Sequence, residues 1–285
     1  MKLLITGACG QLGKEWVIFC EKKGIDFQAY CSEELDITNI SELRSIVEKD
    51  KPSAFINCAA YTNVDKAEEE KDLAFKVNAY ALKEISNTCK LKNIKLVHYS
   101  TDYVFNGSHE DKESTPEGYS EEHETSPKNV YGLSKQGGEE IIRKSDCEYL
   151  ILRVSWLCGE YGNNFVKTML RLGEERDTLK VVNDQFGAPT FTKNVVTNTF
   201  SLLEQNCKGY FHLSSSGITN WFEVANEIFR LKKMKVELLP VSSKEYVTKA
   251  SRPFFSKLST KKISTIPGIE IISWQQGLKE LLNTI

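Results

Sequence analysis

The chain has 285 residues, 40% apolar and 27% charged, with a net charge of −2. A chain of that size and mix buries a core without disulfides or metal, and its near-neutral charge excludes nucleic acid or an anionic membrane as a general partner. No apolar run could span a bilayer, the N-terminal apolar part is too short for a signal peptide, and the eight cysteines lack a C-x-x-C or a nearby His.

Reduced thiols in a cytoplasm are therefore expected, rather than a disulfide framework or a zinc site. Along the chain, Leu3–Thr6, Phe27–Cys31, Ala54–Cys58, Leu96–Ser100 and Leu150–Val154 read as buried strands bounded by turn or charged residues. Amphipathic stretches separate them. Helices are predicted over Gln11–Lys23 and Ile40–Asp50, over Val64–Lys92 as one long helix or two abutting ones, and over Asn129–Lys144. Such alternation predicts an α/β fold, a doubly wound parallel sheet of the Rossmann type, because each crossover helix must pack on the sheet. Beyond Val154 the rhythm loosens. Helices are expected at Asn163–Glu175, Lys193–Gln205 and Asn220–Lys232, with short strands near Leu179–Val182, Tyr210–Leu213 and Val236–Leu239. They imply a smaller C-terminal lobe sharing a cleft with the carboxyl ends of the strands, where open α/β folds bind ligands. The chain shows no internal repeat.

The first strand runs into Thr6-Gly7-Ala8-Cys9-Gly10-Gln11-Leu12-Gly13, with glycines at G-x-x-G-x-x-G spacing. Gly7 permits the tight turn, Gly10 lets the backbone approach a pyrophosphate, and Gly13 lets the helix pack on the strand. The helix N-terminus then offers free N–H groups to phosphates. An ordinary Gly-rich turn is the bland alternative, but its place between a clear strand and a clear helix favours a dinucleotide. On this reading residues 1–154 form the dinucleotide-binding domain. Residues 155–285 are mainly the substrate-binding lobe, with segments crossing back.

Tyr131 and Lys135 form a Y-x-x-x-K pair on one helix face. A phenol with a pKa near ~10 needs help for acid–base work at neutral pH, and a nearby ammonium favours its phenolate. Alone, the pair is common on solvated helices. Here the fourth strand also ends in Ser100-Thr101-Asp102-Tyr103, which places a hydroxyl at the ligand cleft. Asn57-Cys58-Ala59-Ala60-Tyr61-Thr62 ends the third strand in small residues that let a cofactor lie close.

In order along the chain, these stretches resemble the dTDP-4-dehydrorhamnose reductase family of the extended short-chain dehydrogenase/reductases. The matching segments are T-G-A-C-G-Q-L-G from Thr6, L-D-I-T-N from Leu35, N-C-A-A-Y-T-N-V-D-K-A-E from Asn57 and S-T-D-Y-V-F-N-G from Ser100. Further on come Y-G-L-S-K from Tyr131, R-V-S-W-L from Arg153, G-N-N-F-V-K-T-M from Gly162, V-N-D-Q-F-G-A-P-T from Val182 and R-P from Arg252. The resemblance implies reduction of the 4-keto group of dTDP-6-deoxy-L-lyxo-4-hexulose by NADPH or NADH, with Thr101, Tyr131 and Lys135 as the catalytic trio. It places Gly7, Gly10, Gln11, Leu12 and Gly13 at the phosphates. Asp36 and Ile37 would lie near adenine, and Ala59, Ala60 and Thr62 near ribose and nicotinamide. Val64, Asp102, Tyr103 and Trp156 would face the sugar, and Asn164, Gln185 and Arg252 the nucleotide or diphosphate.

The chain departs from the family pattern in three places. Cys31, followed by Ser32, stands where many members carry an acidic residue that binds the adenosine ribose, so both cofactors should be usable. Ser108–Thr115 reads as a longer loop beside the site, either a lid or plain surface. Glu15 matches one ligand of a metal that pairs subunits in some members, but no carboxylate follows Pro189-Thr190, so no metal is expected and a monomer or weak homodimer is favoured. Two alternatives keep the same constellation. One is reduction or epimerisation of another nucleotide-activated sugar. The other is a non-catalytic regulatory subunit, similar to that of methionine adenosyltransferase, against which the intact trio argues.

Overall fold

The computed structural model describes residues 1–285. Its first half runs β1 (Lys2–Thr6), α1 (Gln11–Lys23), β2 (Asp26–Tyr30), α2 (Ile40–Asp50), β3 (Ala54–Asn57), α3 (Val64–Ala67), α4 (Lys71–Phe75) and α5 (Ala81–Lys92). Then follow β4 (Lys95–Thr101), α6 (His109–Ser114), α7 (Val130–Lys144) and β5 (Tyr149–Val154). The local chemistry explains the ends. α1 stops at Gly24, whose left-handed φ of 65° suits a residue without Cβ, with Lys22 and Lys23 at the negative end of the helix dipole. α2 starts where the Asn39 side chain accepts from the Glu42 N–H.

The second half runs β6 (Leu157–Cys158), α8 (Phe165–Glu175), β7 (Thr178–Val182), β8 (Phe186–Gly187), β9 (Thr190–Phe191) and α9 (Thr192–Glu204). It ends with β10 (Gly209–Leu213), β11 (Thr219–Asn220), α10 (Trp221–Lys232), β12 (Glu237–Val241) and α11 (Trp274–Leu282). Six strands form one parallel sheet in the order β10-β5-β4-β3-β1-β2. The chain leaves β1 in one direction to β2 and in the other to β3, so a crevice opens between β1 and β3 at the strands' carboxyl ends.

Strand alternation sorts the core into two layers. Leu3, Ile5 and Ile56 face α1 and α9 on one side, with Trp16, Cys20, Val195, Val196 and Leu202. Leu4, Phe55, Leu96 and Ile151 face the other side, with Leu43, Leu82, Ile85 and Ile142. Two late segments thus return to the sheet, α9 against α1 and β10 as the edge strand beside β5. Val166, Met169, Leu179, Val224, Ile228, Trp274 and Leu278 make a separate core, over which β7 and β12 pair in parallel.

Two segments differ from the sequence expectation. Val64–Lys92 holds three α-helical pieces, with a π-helical turn over Lys76–Tyr80. The Asn78 side chain explains the wider turn: it bonds the N–H and C=O of Tyr61, each at 2.9 Å, and the Ser134 hydroxyl at 3.0 Å. Ser108–Thr115 is mostly the short helix α6, closed by a capping box between Ser108 and Asp111. It is anchored by His109 stacked on Phe254 and by the Lys112 ammonium over the Phe186 ring.

Candidate active site

A cleft of about 900 Å³ lies over the carboxyl ends of β1, β3, β4 and β5. At one end, Gly7 has φ +67°, and a Cβ there would meet the Ala59 nitrogen at 2.6 Å. Gly10 caps α1 without a side-chain hydrogen bond, so the first-turn N–H groups of α1 keep no intrahelical partner. Gly13 faces inward instead, where any Cβ would overlap the Gly7 carbonyl. This donor set and cradle fit a dinucleotide pyrophosphate. Gln11 ties the loop to the second lobe, donating to the Leu157 carbonyl at 3.1 Å and accepting from Asn164 at 2.7 Å.

Beside this loop the expectation of free thiols is overturned, because Cys9 and Cys31 form a disulfide with Cα atoms 5.2 Å apart. The sheet brings them together. The Ala8 N–H donates to the Tyr30 carbonyl at 3.0 Å, which clamps the glycine loop to the end of β2. A separation of 22 residues carries no sign of that contact. The other six cysteines are free.

Ser32, Asp36 and Ile37 line the same end of the cleft, and Ala59, Ala60 and Thr62 line its wall. The Asp36 carboxylate is held by the Thr38 N–H and hydroxyl, both at 2.9 Å. Thr101 ends β4, where its hydroxyl donates to Asp102 at 3.0 Å and accepts from the Tyr103 N–H at 3.2 Å. Asp102 is buried, and its second carboxylate oxygen has no partner. Burial pushes its pKa up to about 7, opposed by the nearby Ser256 and Thr101 hydroxyls.

Tyr131 and Lys135 project from the first turns of α7, which begins where Asn129 accepts from the Gly132 N–H at 2.7 Å. The rings of Tyr131 and Tyr103 meet edge to face, 5.8 Å apart. Burial raises the Tyr131 phenol above its ordinary pKa, and the Thr101 hydroxyl pulls the other way. The phenol therefore keeps its proton at neutral pH. The Lys135 side-chain nitrogen is buried, donating to the Tyr99 carbonyl at 2.6 Å and lying 3.2 Å from His98 Nε2. Burial lowers its pKa to about 8, opposed by Glu139 and Cys58.

At the far end, Trp156 stacks on Trp221 at 3.8 Å and donates to Ser256 at 3.1 Å. Trp156 and Tyr103 line the cleft, whereas Val64, Asn164, Gln185, Arg252 and Cys31 do not. Val64 opens α3, and Asn164 caps α8. Gln185 donates to Ser243 at 3.0 Å. Arg252 is paired with Asp65 at 2.7 Å and reaches the Tyr103 hydroxyl at 3.2 Å. It thus stands one layer behind a cleft-lining ring. Sequence reasoning left Tyr61, Leu73, Val77, Leu157, Asn163 and Trp221 unassigned, although all line the cleft. Tyr61 and Asn163 lie within quoted motifs, while Trp221 has no local signal because it enters from the second lobe.

The comparisons with known proteins agree with this geometry. The family model described as the RmlD substrate binding domain matches residues 1–285. The dTDP-4-dehydrorhamnose reductase of Aggregatibacter actinomycetemcomitans is 37% identical over 98% of this chain and 98% of its own. The spore coat polysaccharide biosynthesis protein SpsK of Bacillus subtilis is also 37% identical, over 99% and 96%. Among solved structures, a dTDP-4-dehydrorhamnose reductase from Bacillus anthracis in complex with NADP superposes with TM-score 0.95 at 40% identity, covering 100% of this chain and 99% of that one. The Thermus thermophilus UDP-glucose 4-epimerase, at 17% identity and TM-score 0.84, shares the fold. The chain belongs to the RmlD family of dTDP-4-dehydrorhamnose reductases.

Proposed function

We propose that this chain reduces the 4-keto group of dTDP-6-deoxy-L-lyxo-4-hexulose to give dTDP-L-rhamnose, using NADPH or NADH, in the cytoplasm. The observation that carries the reading is the meeting of a half-buried Tyr131 with the buried Thr101 and Lys135 in one cleft with an open glycine-rich helix N-terminus. Bound there, a reduced nicotinamide dinucleotide supplies the hydride. The chain's own groups handle the oxygen and its proton. Thr101, turning its O–H away from Asp102, donates a hydrogen bond to the sugar carbonyl and steadies the charge that develops on it. Tyr131, held protonated by burial, gives its proton to that oxygen. Lys135 orients the ribose. The stacked Trp156 and Trp221 offer an apolar wall to the sugar nucleotide. Cofactor binding falls to residues 1–154 and sugar-nucleotide binding mainly to 155–285. A monomer or weak homodimer fits the lack of any carboxylate directly after Pro189-Thr190 to share a bridging metal with Glu15, whose own carboxylate accepts from Thr192 at 2.8 Å.

Mixing the protein with NADPH and the keto-sugar nucleotide should consume the reduced nicotinamide and yield the deoxysugar product. Oxidised cofactor with no sugar product, or no turnover at all, would sink the reading. Cofactor choice should be loose. Cys31 rather than an acidic residue follows β2, which favours NADPH, but the Glu34 carboxylate accepts from the Cys31 N–H at 3.0 Å and Tyr30–Asn39 has no Arg or Lys to clamp a 2′-phosphate. NADPH should lead NADH by no more than about tenfold in kcat/KM, roughly 1.4 kcal/mol. A hundredfold ratio in steady-state kinetics would contradict this.

A further inference from the structure

Behind Lys135 lies a line of buried polar groups that the proposed reaction does not use. It crosses three strands: Thr6 on β1, Asn57 on β3 and His98 on β4, each at most 1% exposed. The Thr6 hydroxyl donates to Asn57 Oδ1 at 2.7 Å. Asn57 Nδ2 lies 3.0 Å from His98 Nδ1, and His98 Nε2 lies 3.2 Å from Lys135 Nζ. Lys135 in turn donates to the Tyr99 carbonyl at 2.6 Å.

The direction of this line can be worked out. The Thr6 hydroxyl is fully buried and has Asn57 as its acceptor. Turning the Asn57 amide over would strand that O–H beside an N–H, a buried donor without an acceptor. With the amide as it stands, Asn57 donates to His98 Nδ1, so Nδ1 carries no proton. A neutral imidazole then bears its hydrogen on Nε2, aimed at Lys135. Burial by itself holds the His98 pKa well below the ordinary histidine value, so the ring is neutral. Every donor in the line has an acceptor only if Lys135 accepts through the lone pair of an uncharged amine.

We propose that His98 is a positioning residue for Lys135, the last member of a buried one-way chain of hydrogen bonds that donates to its amine and so favours the uncharged form. Protonating Lys135 requires His98 to shift its hydrogen to Nδ1 and the Asn57 amide to turn. The charge on Lys135 is thereby tied to the orientation of groups two strands away. Other groups act on the same nitrogen. Glu139 on α7 and Cys58 after β3 favour the ammonium. The Glu139 carboxylate is itself engaged by Arg153 of β5 at 2.9 and 2.7 Å, which blunts its pull. A lysine balanced in this way can change charge as ligand enters the cleft, which a fixed cation cannot do.

The proposal builds on the reading of Lys135 as the residue that orients cofactor, but its test needs neither cofactor nor sugar. Side-chain NMR of isotopically labelled lysine would report the Lys135 midpoint, assigned by its loss in Lys135→Met. Imidazole nitrogen shifts would report the His98 tautomer, assigned among four histidines by its loss in His98→Gln. About two pH units above the Lys135 midpoint, where the amine is almost fully formed, His98 should carry its hydrogen on Nε2. His98→Leu should raise the Lys135 midpoint by about one unit, the worth of one lost hydrogen bond. His98→Gln, whose amide N–H reaches the same place, should restore it. A proton on Nδ1 in that alkaline range would overturn the proposal. So would an unmoved midpoint in a folded His98→Leu variant. If His98→Leu does not fold, the wild-type tautomer still decides. Failure of the reductase assay with these titrations intact would fault the functional reading alone.

Discussion

At the cleft, burial outweighs the charges that sequence reasoning relies on. Tyr131 was expected to be tuned toward phenolate by Lys135, yet the largest influence on its phenol is desolvation, which retains the proton. That suits a group that gives a proton to a reduced carbonyl. Tyr131→Phe removes the donor and keeps the ring, so turnover should fall by about 10²–10⁴-fold with cofactor affinity little changed. Turnover near the parent value would rule Tyr131 out as the acid. Asp102 shows the same effect in its stability. Its pKa rises from an ordinary 3.8 to about 7 in the folded chain. The neutral carboxyl is therefore favoured by folding, a contribution present in full below about pH 4 and lost as pH rises through about 7. Asp102→Asn stays neutral throughout. The stability of the variant relative to the parent should climb across that window, read by thermal melts. A difference that stays flat with pH would show that Asp102 ionises freely.

Among the elements, α7 decides where the catalytic candidates stand, and its packing is close. Gly138 faces the π-helical turn, where a Cβ would overlap the backbone carbonyl of Asn78. Alanine is a better helix former than glycine by ~1 kcal/mol. Overpacking against backbone costs about 1–3 kcal/mol and wins when the neighbour cannot yield. Asn78 cannot yield easily, since its side chain already bridges Tyr61 and Ser134. Gly138→Ala should therefore lower the unfolding midpoint in denaturant despite the gain in propensity. A raised midpoint would mean that the turn relaxes. None of this was readable from Val64–Lys92, whose apolar spacing suits one long helix or two abutting ones. The interruption comes from a side chain that bonds a loop lying 17 residues earlier.

On the scale of the whole molecule, the Cys9–Cys31 bond joins the glycine loop to the end of the second strand, and Gln11 joins that loop to the second lobe. Six of eight cysteines should react with a thiol reagent after unfolding without reductant, and all eight after reduction. Reduction should cost about 2–4 kcal/mol in denaturant unfolding, the usual worth of a crosslink closing a loop of this kind. Eight reactive thiols in the unreduced chain would remove the bond from the account. A cytoplasmic setting keeps most thiols reduced, so there the pair would exist as two thiols or as a reducible bridge. No helix is long and apolar enough to cross a membrane.

Local pattern determined much by itself. The short apolar run Leu3–Thr6 and the amphipathic spacing of Gln11–Lys23 predicted a strand and a helix that the structure contains. Gly7 and Gly10 announced a turn that needs a positive φ and a backbone open to phosphate, because only short-range sterics are involved. Tyr131 and Lys135 could be paired because four residues make one helical turn. Partners across the fold could not be read in this way. Tyr210–Leu213 reads as a strand of any sheet, and only the packed core makes it the neighbour of β5. Arg252 suits a diphosphate by its chemistry, but an Asp65 carboxylate brought in from 187 residues away holds it. The Cys9–Cys31 pair, the unpartnered oxygen of Asp102 and the Thr6–Asn57–His98 line exist because β1, β2, β3 and β4 lie side by side. Sequence carries the period of each element. Only tertiary packing decides which side chains share a low-dielectric space, and there burial, not residue type, sets their charge.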